Sequence, residues 1–204
     1  MHTARPECKV KVTDWDERYS RGEHASFEAS KLLVRVVKEL EPGRALDIAC
    51  GAGRHAVYLA SHGWDVTAVD SSRVGIELLK ERARTDGVNV NTRIEDLESG
   101  KLQIERDAYD LICVFYYLQR DLFSKLDSGL RAGGILVAAI HMVDEARHTK
   151  PMNPDFLLQP GELRGFFRGW TIEHYHETTH HDTDAGDHTR RTAEIVARKK
   201  TGAV

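Results

Sequence analysis

From Arg44 onward, short apolar runs rich in β-branched residues alternate with stretches whose apolar residues recur at helical spacing. This is the pattern of βαβ units wound about a mainly parallel sheet. Strands are predicted over 44–49, 64–69, 88–93, 109–115 and 134–140, with helices filling the gaps between them. The clearest helix carries Leu118, Leu122, Leu126 and Leu130 in one apolar stripe, suited to lying on a sheet, and is predicted to end in the Gly133-Gly134 turn. Another precedes the first strand, with Leu33, Val36, Val37 and Leu40 on one face and Pro42-Gly43 closing it.

Beyond residue 140 the pattern changes to a short helix at 161–168, a strand at 170–177, a polar loop and a final strand at 191–198. The loop is too short for a crossover helix, so the last two strands are predicted to form an antiparallel hairpin. The expected fold is therefore α/β, a Rossmann-like doubly wound seven-stranded sheet, mostly parallel with an antiparallel last strand. With 204 residues and a 41% hydrophobic content the chain suits one domain. Residues 27–204 form its body and 1–26 an N-terminal segment.

The candidate chemistry centres on Ala45-Leu-Asp-Ile-Ala-Cys-Gly-Ala-Gly-Arg-His55, a buried strand running through a glycine turn into a helix. Gly51 and Gly53 permit positive φ and close backbone approach, and a helix N-terminus offers N–H groups to a ligand. The stretch also satisfies the dinucleotide pattern G-x-G-x-x-G/A, so glycines alone leave NAD and an amino-acid-bearing cofactor both open. Asp47, four residues before Gly51, suits a ligand's ammonium group or the loop's own N–H groups. Asp70, at the end of the next strand and followed by Ser71, suits two ribose hydroxyls, although the pair also reads as a helix N-cap. Asp96, preferred to Glu95 at the end of the third strand, suits an adenine amino group.

Asp-Ile-Ala-Cys-Gly-Ala-Gly at 47–53, Val-Asp at 69–70 and Glu-Asp at 95–96 resemble the successive cofactor motifs of class I S-adenosylmethionine (SAM)-dependent methyltransferases. Trp15-Asp-Glu-Arg-Tyr19, Gly51-Ala-Gly-Arg-His-Ala-Val-Tyr-Leu-Ala60, Tyr117-Leu-Gln-Arg-Asp-Leu-Phe123 and Asn153-Pro-Asp-Phe-Leu-Leu-Gln-Pro-Gly-Glu-Leu163 resemble the small bacterial methyltransferases of tellurite-resistance type. The resemblance runs over about 15–198 and departs at His55, where relatives commonly have asparagine. It implies SAM as cofactor, methyl transfer to a small-molecule acceptor, and 1–26 as a lid in which Trp15, Arg18 and Tyr19 cover SAM, with Arg18 facing the methionine carboxylate. Two other classes remain to be weighed: an NAD-dependent oxidoreductase, and a non-catalytic SAM- or metal-binding module.

At the carboxyl ends of the later strands, Phe115 is a candidate cofactor contact and Tyr116 a candidate for the substrate, although aromatics at a strand end also pack in the core. Tyr116, Arg120 and His141 are the candidate acceptor contacts, since open α/β sheets meet their substrates there. Asn153-Pro-Asp-Phe156 differs from the Asn-Pro-Pro-Tyr/Phe motif of amine methyltransferases in place and in its second proline, and reads as a loop. The histidine-rich stretch His174 to His188 reads as a solvated hairpin end rather than a metal site, and no metal is expected. Cys8, Cys50 and Cys113 lack zinc-knuckle spacing. A net charge of -3 supplies no basic footprint for nucleic acid, and the absence of a long apolar run gives no membrane span. The cytoplasm is the expected compartment.

Overall fold

The structure, a computed structural model, describes residues 12–23, 26–144, 152–182 and 188–201. Its helices are α1 (Val12–Ser20), α2 (Lys31–Val37), α3 (Arg54–Ser61), α4 (Arg73–Thr85), α5 (Arg120–Gly129) and α6 (Glu162–Phe166). Its strands are β1 (Arg44–Ile48), β2 (Asp65–Asp70), β3 (Asn91–Ile94), β4 (Tyr109–Phe115), β5 (Leu130–His141), β6 (Thr171–Asp182) and β7 (His188–Arg198). The strands form one seven-stranded sheet in the order β3-β2-β1-β4-β5-β7-β6. Strands β1 to β5 pair in parallel, whereas β7 runs antiparallel to both β5 and β6.

The alternation of strand side chains divides the core into two layers. Leu46, Ile48, Ile112, Val114, Leu136 and Ala138 face Leu122 and Leu126 of α5 and Leu163 of α6. Ala45, Ala68, Leu111, Cys113, Val137 and Ala139 face Leu33 of α2, Leu59 of α3 and Ile76 and Leu79 of α4. The chain crosses between the halves of the sheet after β3, so β1 and β4 flank the switch point whose carboxyl-terminal crevice takes ligands in such folds.

Three expectations are corrected. No α-helix joins β3 to β4; a single 3-10 turn at Leu97–Ser99 takes its place. Leu97, Leu102 and Ile104 pack on the core at spacings of five and two, which no helix face provides. The leucine stripe is only in part helical: α5 stops at Gly129, and Leu130 turns extended to open β5 opposite Tyr109. The hairpin is longer than the polar composition suggests, because β6 and β7 pair from Thr171↔Arg198 out to Asp182↔His188. Cys8 and the tip of the histidine-rich loop, 183–187, lie outside the described residues.

Candidate functional site

At the end of β1 the backbone enters three left-handed residues in alternation, Ala49 (φ 55°), Gly51 (φ 54°) and Gly53 (φ 80°). Two of them are glycines for separate steric reasons. A Cβ on Gly51 would lie 2.3 Å from the Tyr19 hydroxyl, and one on Gly53 would lie 2.2 Å from Leu79 of α4. The loop is pinned from below: Cys50 N donates to Val69 O at 3.1 Å, Gly51 N to Asp70 Oδ2 at 2.8 Å, and Gly53 N to Cys50 O at 2.9 Å.

Asp47 lies beneath this loop, only 1% exposed. Its carboxylate accepts the backbone N–H of Ala56 in the first turn of α3, and its Oδ2 is buried with no hydrogen-bond partner. The two uses expected of Asp47 thus fall to its two oxygens, one fixing the helix and one left over. Burial, then the nearby Asp70 charge, pushes its pKa from 3.8 up to about 7. An acid in that state has an unmet demand for a cation.

Asp70 serves the loops on both sides, accepting from Gly51 N through Oδ2 and from Ser72 N through Oδ1, both at 2.8 Å. A third backbone bond, from Ser71, leaves the carboxylate about one acceptor site for a further donor. Burial raises its pKa despite these bonds. The N-cap of α4 is Ser72 rather than Asp70 or Ser71: its hydroxyl accepts from Gly75 N at 2.9 Å. Asp96 is exposed and caps the 3-10 turn, accepting from Glu98 N at 3.0 Å, while Glu95 pairs with Arg93 at 2.5 Å.

Helix α1 lies against α4 through a bond that no sequence pattern announces. Asp16 Oδ1 accepts from the Ser72 hydroxyl at 2.5 Å and from Val74 N at 3.1 Å, a second cap on α4 delivered from 56 residues away. In the sequence, Asp16 is only part of the Trp15-Asp-Glu-Arg-Tyr19 stretch and has no role of its own. The result places Tyr19 over Gly51, with its hydroxyl pKa raised by burial and by the Asp70 and Cys50 charges. Trp15 and Tyr19 have ring centroids 6.0 Å apart, and the Arg18 guanidinium lies 5.0 Å over the Trp15 ring.

At the end of β4 the two aromatics part. Phe115 is buried, with its ring stacked on His55 at 4.0 Å, so it packs in the floor and does not lie open to a ligand. His55 is likewise buried, and burial lowers its pKa well below 6.5, keeping the imidazole neutral. Tyr116 adopts a left-handed conformation (φ 58°) and is 41% exposed. It stacks on His141 at 4.9 Å and lies 5.5 Å from the Arg54 guanidinium. Tyr116, His141 and Arg54 therefore converge at the mouth of the crevice.

Arg120 does not join them. Its guanidinium donates to Glu162 Oε1 at 2.6 Å, Asp155 O at 2.9 Å and Leu157 O at 3.0 Å, tying α5 to the segment after β5. Asn153-Pro-Asp-Phe156 is a capped 3-10 turn in that segment. Residues 145–151, which follow the candidate acceptor contact His141 along the chain, lie outside the described residues. A shallow groove of about 540 Å³, lined by Arg44, Asn91, Arg93, Glu105 and Tyr109, lies at the other end of the strands, away from these residues. Among the described residues, no helix is long and apolar enough to cross a membrane.

Known proteins resemble this chain over most of its length. The family described as tellurite resistance protein TehB matches residues 15–193. A probable SAM-dependent methyltransferase TehB of Haemophilus influenzae is 27% identical over 177 residues, covering 82% of this chain and 61% of that protein. The chain therefore spans about three fifths of the curated TehB relative. The crystal structure of TehB from Haemophilus influenzae superimposes with a TM-score of 0.75 at 23% identity, covering 91% of this chain and 67% of that one. A protein of echinomycin biosynthesis, concerned with conversion of a disulfide bond into a thioacetal group, has a TM-score of 0.68 at 19% identity, with 94% of each chain covered.

Proposed function

The chain belongs to the TehB family, and from that premise we propose that it is a SAM-dependent methyltransferase passing the methyl group of SAM to a small-molecule acceptor and leaving S-adenosylhomocysteine. The observation that carries this reading is the buried, partnerless Oδ2 of Asp47 beneath the glycine loop. A pyrophosphate has no use for such an acid, whereas the ammonium of an amino-acid-bearing cofactor matches its charge and its missing bond.

The remaining residues fit the same ligand part by part. Gly51 lets Tyr19 close down on the loop, and Gly53 lets the loop pack against Leu79, so both hold the turn in the shape the cofactor would meet. Asp70 has about one acceptor site left for a ribose hydroxyl beside Ser71, and Asp96 keeps capacity for an adenine amino group. Trp15, Arg18 and Tyr19 ride on a helix fastened to α4 by Asp16, in position to cover the cofactor and shed water from it. Phe115 supports this site from below through His55 rather than by contact.

The cofactor, when bound, supplies an electrophilic methyl on sulfonium sulfur. What the chain supplies is alignment of the acceptor and exclusion of water. Tyr116, His141 and Arg54 are the groups placed to orient the acceptor, with Tyr116 held in a conformation that non-glycine residues adopt only where the fold imposes it. An anionic or easily ionised acceptor suits the Arg54 guanidinium there.

The test has two parts. Calorimetric titration with SAM, S-adenosylhomocysteine and NAD is expected to give binding of the first two; binding of NAD alone would overturn the cofactor assignment. Turnover is then measured against thiols, phenols, amines and oxyanions. Methylation of a member of that panel is expected, and SAM binding without turnover on any of them would favour a non-catalytic module.

A further inference from the structure

The face of the β6–β7 ribbon turned toward the α2–α4 layer carries a group of side chains the cofactor site does not use. Along β7, Ala193, Ile195 and Ala197 point into the α5 layer, so Glu194 shares the opposite face with Val196. Glu194 is the register partner of His176, and Val196 that of His174, so both histidines stand on the face of Glu194. The irregularity between Ile172 and His174 sets this phase. The ribbon thus places two imidazoles and one carboxylate on adjacent strands, where directly opposed Cβ atoms are about 5 Å apart.

Part of a coordination shell already has its spacing. His174 Nε2 lies 3.5 Å from Glu194 Oε2, and that nitrogen is buried with no hydrogen-bond partner. Two donors on one tetrahedral zinc, each about 2.0–2.1 Å from it, are roughly 3.4 Å apart. The His176 ring centroid is 6.4 Å from that of His174, and His176 is exposed. As the rings stand, no three such side chains among the described residues meet at coordinating distance. The proposed site therefore requires a rotamer change at the exposed His176 to bring its ring in.

We propose that His174, His176 and Glu194 form a binding site for a first-row divalent cation of the zinc class, with the remaining coordination positions left to water. Two imidazoles with a carboxylate suit zinc or nickel, and hard-oxygen cations such as magnesium poorly. No metal is expected from the sequence because no cysteine and no His-x3-His helix spacing fixes a geometry there; the third ligand comes from the neighbouring strand. This site is independent of the methyltransferase reading, and its test needs no cofactor.

The experiment is titration of the chelator-treated full chain with Zn(II), and separately with Ni(II), by calorimetry. One saturable equivalent is expected, with affinity falling at least tenfold in His174→Ala, His176→Gln and Glu194→Gln, and holding in His62→Ala, a remote exposed histidine. His176→Gln alters an exposed position and keeps the test decisive where His174→Ala fails to fold. X-ray absorption of the zinc-loaded protein is expected to show two imidazoles in the first shell. Absence of saturable binding overturns the proposal, as does binding that survives all three substitutions, which would place the ion on other histidines such as His180, His181 or His188.

Discussion

Replacing Asp47 by asparagine is expected to stabilise the protein while weakening its hold on the cofactor. The folded state raises the Asp47 pKa from 3.8 to about 7, so the native protein retains a proton that the unfolded chain has already released. Between those two values stability must fall as pH rises; it is highest below the lower one and levels off above the upper one. At about 1.4 kcal/mol per unit, a gap of about three units amounts to roughly 4 kcal/mol lost by pH 8. The side-chain amide introduced by Asp47→Asn carries no charge to desolvate and keeps an oxygen for Ala56 N–H. The variant should therefore be more stable than the natural chain at pH 8 by about 2–4 kcal/mol, a melting temperature higher by roughly 5–10 °C in a domain of this size. It should differ little at pH 4. The amide cannot replace a carboxylate toward ammonium, so SAM affinity should fall by about 10–100-fold, the worth of a charge-assisted hydrogen bond. The natural protein should in turn bind SAM more tightly at pH 8 than at pH 6, because Asp47 must give up its proton to take the cation. Urea melts across pH 4–9 and calorimetry with SAM test both halves. A stability profile flat from pH 4 to 8, or a variant no more stable at pH 8, would refute the argument about burial; unchanged affinity would refute the ammonium partner.

Gly51→Ala sets a Cβ against the Tyr19 hydroxyl at a left-handed residue, and is expected to weaken SAM binding at least tenfold, as read by equilibrium dialysis. Asp16→Ala removes a cap on α4 and the fastening of α1, costing about 1 kcal/mol in urea melts and raising KM for SAM; a KM equal to that of the natural protein would detach α1 from cofactor binding. Arg120→Ala should lower stability by about 1 kcal/mol with kcat preserved, since its donors are spent on Glu162, Asp155 and Leu157. A collapse of kcat with unchanged stability would return Arg120 to the acceptor site.

The sheet and the glycine loop were legible because both are written in local pattern. Strand, glycine turn and helix follow one another within 44–61, and the carboxylates at 47 and 70 end up at adjoining strands. Features built from distant residues were not. The cap from Asp16 to Ser72, the Arg120 clamp and the alignment of Glu194 with His176 each depend on tertiary register, which periodicity does not encode. Phe115 and Tyr116 make the same point between neighbours: one residue of strand alternation followed by a left-handed turn buries the first ring beneath His55 and leaves the second exposed. The run from Leu118 to Leu130 misled for a related reason, since a leucine buried at a strand's start and one buried on a helix face look alike in sequence.

The single turn at Leu97–Ser99 that stands where a crossover helix was expected leaves β3, four residues long and partly exposed, at the edge of the sheet with one neighbouring strand. Amide hydrogens there have little apolar mass to hold them closed. In native-state hydrogen exchange, 91–105 should open as one unit well before β1 and β4. Opening of that unit would release Asp96 while Asp47 and the glycine loop stay shut, so under the proposed reading the end of the site assigned to adenine would breathe on a faster clock than the end assigned to the amino acid.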